Sequence, residues 1–338
     1  MDALTLQPGA AAQPARPRLV LCALSMAVLV AQIDTAVINL AMRPIGQFFH
    51  APIGALQWVI DAYNLAYAAL LLTGGLLADL YGRRRAFVAG ALVFTVASVV
   101  CALAPSIGWL IGGRALTGVG ASLLLPASLA ILRVVWQDPA ERARALGVWA
   151  ACNGLSMAIG PTVGGLLVTH FGWQAVFWVV VPISLLAMGL ALRVIPESSD
   201  PAHRRFDALA QVLGAVALSG LAFAAIEMQQ APAVALAVLL LAMAATAGFL
   251  HVEARHGAAA LVPLDLFRIR PFRGAIVATA GMTFGMYGVL FLLPLMWQST
   301  GRFSITGAGI ALMPMALVFA VVSPGSGALV SPSGATGL

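Results

Sequence analysis

The chain has 338 residues, 61% of them hydrophobic and 9% charged, and its formal net charge of +6 comes from arginine alone, with no lysine. Soluble domains carry charge on about a quarter of their residues, so this composition excludes an ordinary soluble globular protein and predicts a chain solvated by lipid. The arginines stand in short connections between apolar runs and build no basic module, which excludes nucleic-acid binding and makes the charge a signal of membrane orientation and of contact with anionic lipids.

A bilayer core about 30 Å thick takes about 20 mostly apolar residues per helix. Cutting at charges, prolines and glycines predicts ten spans, at approximately 19–42, 54–79, 86–104, 108–132, 145–169, 173–193, 207–228, 231–251, 274–297 and 306–329, and hence an all-α integral membrane protein. The first span exceeds the apolar core of a signal peptide and contains Asp34 and Asn39, so it is read as a retained helix. Connections as short as 104–108 and 170–172 force neighbouring helices to run antiparallel.

Between the second and third spans the run Gly75, Leu77, Asp79, Gly82, Arg83, Arg84, Arg85 places an acid and three arginines in succession. Each costs roughly 2.5 to 3.5 kcal/mol at the centre of a spanning helix, so the run is expected to be a tight, water-facing loop. Arg16, Arg18, Arg133, Arg142, Arg144, Arg193 and the later linker arginines share its side of the membrane, while Arg43 and Arg302 fall on the other. The positive-inside rule then places the N-terminus in the cytoplasm. The expected organisation is a cytoplasmic tail (1–18), a six-helix bundle (19–194), a linker with two central helices (195–252), and a loop followed by the first two helices of an incomplete second bundle (253–338).

Three ionisable groups fall inside spans. Asp34 lies about 12 Å from the outer end of the first span, Arg114 about 10 Å into the fourth, and Asp61 at a similar depth in the second. A carboxyl in a low-dielectric site favours its neutral form and a neighbouring guanidinium favours the anion, so Asp34 with Arg114 reads as a proton-loading pair. A static pair that only joins helices is the competing reading. Asp61 could compete for a cationic substrate, with Tyr63, Asn64 and Tyr287 as further substrate candidates. Gly160–Pro161 predicts a bend in the fifth span and Gly164–Gly165 a flat packing face.

Cys22, Cys101 and Cys152 stand far apart in apolar runs and are read as core residues, and the histidines lack metal-ligand spacing, so no metal is expected. No glycine-rich turn leads into Lys and Ser or Thr, which argues against a nucleotide-driven pump, and no nucleophile arrangement suggests an enzyme.

The loop run Gly75, Leu77, Asp79, Gly82, Arg83, Arg84 resembles the cytoplasmic signature between the second and third helices of the major facilitator superfamily. Arg114, Gly118 and Gly120 resemble its fourth-helix signature, with Thr117 where Gln is common. Gly160, Pro161, Gly164 and Gly165 are similar to the motif of its drug:proton antiporter branch, with Ser156 in the usual first glycine position. Asp34 to Ala41, Trp58 to Leu65 and Gly172 to Pro182 resemble the branch with fourteen helices. Departures are Arg43 before Pro44, Leu80 for a basic residue, Gln174 for Arg, and four absent C-terminal helices. The resemblance implies a bacterial cytoplasmic-membrane exporter of lipophilic or cationic small molecules, driven by the proton gradient without a cofactor. It also implies that Arg114 modulates a proton site, that the Asp79–Arg84 loop locks the two halves in one state, and that the Gly160–Pro161 motif controls closure. The alternatives are a truncated fragment that does not transport and, with less support, an uptake symporter.

Overall fold

The structure, a computed structural model, describes residues 16–200, 207–228, 230–256 and 264–303, with Gly307, Ala311, Pro314, Met315, Val318 and Val322 beyond them. Its helices are α1 (Pro17–Phe49), α2 (Ile53–Tyr81), α3 (Arg83–Ala102), α4 (Ile107–Val135), α5 (Pro139–Phe171), α6 (Ala175–Trp178), α7 (Val180–Val194), α8 (Ala208–Glu227), α9 (Pro232–His256) and α10 (Arg270–Ser299), with a 3₁₀ turn at Leu264–Arg268. No strand occurs among the described residues. Seven stretches are long and apolar enough to cross a membrane: α1, α2 from Gly54, α3, α4, the α6–α7 unit Ala175–Val194, α8 and α9. The chain is therefore an all-α bundle of the multi-pass membrane type.

Polar residues set the helix starts. Ser106 accepts from the Trp109 backbone N–H at α4, Asp138 from Glu141 at α5, and Asp207 from Leu209 and Ala210 at α8, each satisfying donors that a first helical turn leaves open. Several buried hydroxyls are satisfied one turn back along their own helices, as at Thr95 with the Ala91 carbonyl and Ser98 with that of Phe94.

The helices differ from the predicted spans in three informative ways. α1 continues through Arg43 and Pro44 to Phe49, because its end is held by aromatic contacts of Phe48 and Phe49 with Trp173 at 5.6 and 5.4 Å between ring centroids. The expected loop around Asp79 is a single non-helical residue, Gly82 at φ 113°, and Arg83, Arg84 and Arg85 form the first turn of α3 instead. The span expected at 173–193 is broken at Val179 into α6 and α7. The span expected at 306–329 lies for the most part outside the described residues.

α4 packs along both α2 and α3, and α1 lies against α5 and α7, while α3 also meets α7. α8 pairs with α9 and touches α2. One apolar cluster, including Val37, Ile38, Val59, Tyr63, Phe94 and Phe177, fills the half of the bundle toward the α1–α2 turn. Another, including Leu24, Phe87, Leu124, Ile131 and Leu132, fills the half toward the arginine-rich end. α10 is largely exposed, with Phe284 at 85%.

Absent side chains bring α4 onto α2. A Cβ at Gly118 would collide with the Tyr63 carbonyl and come within 3.1 Å of the Tyr67 nitrogen, both backbone atoms of α2. This contact fixes the height and rotation of α4 against α2, and Arg114 stands one turn before Gly118. Replacing Gly118 with alanine is expected to cost about 1–3 kcal/mol through overpacking, read as a lowered melting temperature of the chain in detergent. Gly165→Ala, where nothing lies within 4 Å of an added Cβ, is expected to be neutral or to stabilise by up to about 1 kcal/mol.

Candidate functional site

The centre of the bundle holds an ion pair sealed from solvent. Nη1 of Arg114 donates to Oδ2 of Asp34 at 2.5 Å, and the two side chains are 1% and 0% exposed. Nε of Arg114 donates to the Val59 carbonyl at 3.0 Å, and the guanidinium carbon lies 4.7 Å from the centroid of the Tyr63 ring. Oδ1 of Asp34 is buried and has no hydrogen-bond partner among the described residues. Charges this deep cost several kcal/mol each to desolvate, so only their mutual contact and the fixed dipoles around them keep both in place.

The expected equal depths along α1 and α4 do not survive, because the longer α1 sets Asp34 about 22 Å from its end and Arg114 about 10 Å into α4. They nevertheless meet, since the last turns of α1 extend beyond the start of α4. Asp61 does not join them. It is half-buried and close enough to Glu227 of α8 for the carboxylates to interact. Around it Gln230, in the turn after α8, donates to Gln57 of α2 at 2.9 Å, and the Trp58–Phe223 ring contact at 5.7 Å joins α2 to α8. Asn64 is exposed. Tyr63 is 4% exposed and stacks on Tyr67 at 6.1 Å. Tyr287 belongs to α10, and its side chain lies outside the described residues, as does that of Pro161 in α5.

The glycine motif of α5 faces α1. A Cβ on Gly160 would meet that of Ala36 at 2.6 Å, and one on Gly164 would collide with Val37, whereas Gly165 looks into open space. Gly160 and Gly164, one turn apart, thus hold α5 against the stretch of α1 that carries Asp34.

At the arginine-rich end, Nε and Nη2 of Arg83 donate to Oδ1 of Asp79 at 3.1 and 3.0 Å. The open backbone donors at the start of α3 are taken by Glu197, whose oxygens accept from the N–H groups of Arg84 and Arg85 at 3.0 and 3.2 Å. Glu197 also faces their guanidinium groups at 3.6 and 3.8 Å. The Arg83 N–H donates to the Ser198 carbonyl at 2.8 Å and the Asp200 N–H to that of Asp79 at 2.9 Å. A Cβ on Gly82 would come within 2.6 Å of Glu197, and Gly75 is in ordinary contact with Pro126. Glu197 was missed in the sequence because it lies over a hundred residues from its partners; an acid following the arginine-bearing end of the sixth span was its one signal.

Helices of this length, glycine-mediated contacts between them and a buried ion pair at their centre define a membrane transporter-type bundle. The chain belongs to the Major Facilitator Superfamily, whose sequence profile matches residues 24–336. It is 34% identical over 320 residues to "Multidrug resistance protein Stp" of Mycobacterium tuberculosis (strain CDC 1551 / Oshkosh), covering 94% of this chain and 59% of that protein. It is likewise 34% identical to "Multidrug efflux pump LfrA" of Mycolicibacterium smegmatis, with 92% and 62% covered. For the "Tetracenomycin C resistance and export protein" of Streptomyces glaucescens the identity is 34%, with 95% and 60% covered. The chain therefore spans about three fifths of the length of these relatives. Among solved structures, the proton:xylose symporter XylE shares the fold at a TM-score of 0.57 and 15% identity, over 93% of this chain and 69% of that one.

Arg114→Met leaves Asp34 as a buried, uncompensated charge, and is expected to destabilise the bundle by about 3–5 kcal/mol. Much of that loss should return in the Arg114→Met/Asp34→Asn double variant, as read by detergent melting. Glu197→Ala removes a helix cap worth about 1 kcal/mol, so hydrogen–deuterium exchange at the Arg84 and Arg85 amides is expected to quicken about fivefold.

Proposed function

We propose that the chain is a proton-coupled exporter of lipophilic or cationic small molecules, working by alternating access in a bacterial cytoplasmic membrane with its N-terminus in the cytoplasm. The single observation that carries this reading is the sealed Asp34–Arg114 pair, in which one carboxylate oxygen is held by the guanidinium and the other is without a partner among the described residues. A proton arriving at Oδ1 neutralises Asp34 and weakens its hold on Arg114, so α1 and α4 are tied in one protonation state and released in the other. The names of the relatives, which speak of multidrug resistance, efflux and export, support export as the direction and small-molecule drugs as the cargo.

The remaining motifs take roles around this switch. Asp61, half-buried beside Glu227 and the Trp58–Phe223 pair, offers negative charge and aromatic faces to a cationic substrate, with Asn64 and Tyr287 as further contacts. Gly160 and Gly164 form the surface on which α1 and α5 slide or close, with Pro161 bending α5 between them. Gly75, Asp79, Gly82, Arg83 and Arg84 form the gate at the arginine-rich end, fixed from behind by Glu197. The proton gradient supplies the energy, and protons, substrate and lipids are the partners.

A second reading is that the 338 residues do not transport unaided and act only with further helices. It is favoured by α10, where described apolar side chains such as Val277 at 71% and Phe284 at 85% are exposed.

Efflux of a fluorescent lipophilic cation from energised cells expressing the chain separates the readings. Under the proton-coupled reading efflux falls to background both in Asp34→Asn and when the gradient is collapsed. Export that persists in Asp34→Asn contradicts it, and no export from an inserted, stable chain supports the second reading.

A further inference from the structure

We propose that Tyr63 is a positioning residue that competes with Asp34 for the guanidinium of Arg114, and thereby sets the pH at which the pair takes up a proton. The inference rests on the proton-coupled reading above and assigns to Tyr63 a task different from touching substrate.

The geometry is specific. The ring of Tyr63 is 4% exposed, inside the bundle, with the guanidinium carbon 4.7 Å from its centroid. The Val59 carbonyl that takes the Arg114 Nε proton stands one turn before it on the same helix. α2 thus offers Arg114 two uncharged ligands, an aromatic face and a carbonyl. The ring is also stacked with Tyr67 at 6.1 Å, with an interplanar angle of 10°. The close approach at Gly118, whose missing Cβ lets α4 touch the backbone of Tyr63 itself, fixes the height of the guanidinium over the ring.

These contacts matter when Asp34 is neutral. Arginine keeps its charge at every accessible pH, so a protonated Asp34 leaves a buried cation compensated, among the described residues, by the ring and the carbonyl. A cation held against an aromatic face in a desolvated site is stabilised appreciably. The ring already touches the guanidinium while Asp34 holds it, and its stabilisation favours the protonated state of the pair because it weighs most when no carboxylate shares the cation. The negative face of the ring acts in the same direction by disfavouring the anion.

Among the described residues no other charge faces the pair. Cys101 of α3 and Tyr67 of α2 are the remaining titratable groups near it. α5 meets this part of α1 through Gly160 and Gly164, and α6 and α7 through Val176, Phe177 and Val180.

The test uses the full chain in lipid nanodiscs and the infrared band of a neutral carboxyl that is lost in Asp34→Asn, followed over pH. Tyr63→Phe keeps the ring and is expected to keep the profile. Phenylalanines bearing one, two and three fluorines at position 63 keep the shape while draining the ring's negative face. They are expected to move the profile stepwise to more acidic pH, by about one unit across the series, and Tyr63→Leu is expected to move it at least as far. A profile that stays fixed through the fluorinated series overturns the inference and leaves Tyr63 as packing. The failure of the underlying reading looks different: no carboxyl band assignable to Asp34 at any pH at which the chain remains folded.

Discussion

The dielectric around Asp34 and Arg114 is the constraint on which the rest of the structure depends. Two opposite charges at 0% and 1% exposure are tolerable only in contact, because each alone would forfeit several kcal/mol of hydration. Their contact ties α1 to α4. The Val59 carbonyl and the Tyr63 ring bring in α2, so one guanidinium is held by groups from two helices. The glycines around it, Gly118 against α2 and Gly160 and Gly164 against α1, let the backbones come near enough for that contact to form. In a membrane, where lipid tails are as apolar as leucine, such close packing and internal polar contacts supply much of what holds helices together.

The arginine-rich end follows a different rule, because its charges are partly solvated. Arg83 satisfies Asp79 within one helical turn of Gly82, and Glu197 caps α3 from the segment that follows α7. Through Glu197 the end of α7 is attached to the α2–α3 junction, so a displacement of that junction must carry the segment after α7 with it. The bundle thus has two polar fastenings, one buried at its centre and one at its end, with apolar clusters between them.

Much of this was legible in the residues. Composition fixed the membrane class, and the order of Gly75 to Arg84, Arg114 to Gly120 and Gly160 to Gly165 was enough to point to the family that the comparisons establish. Helix edges were less legible, and for a physical reason: proline and charge were read as stops. At Pro44 the aromatic contacts of Phe48 and Phe49 with Trp173 carry α1 onward, and at Arg83 the Glu197 cap allows a helix to begin on arginine. Which of several same-depth polar residues would pair was beyond periodicity alone. Rotation about the helix axes decides it: α2 turns Tyr63 toward Arg114 and leaves Asp61 beside Glu227.

The claim that the central pair exchanges a proton against a cationic substrate is tested most directly by adding a lipophilic cation to the purified chain in weakly buffered detergent and recording the pH. The account predicts that binding releases protons into solution, and that Asp34→Asn, while still folded, releases none. Equal proton release from both proteins, or cation binding to the native chain with no release at any pH, would contradict it.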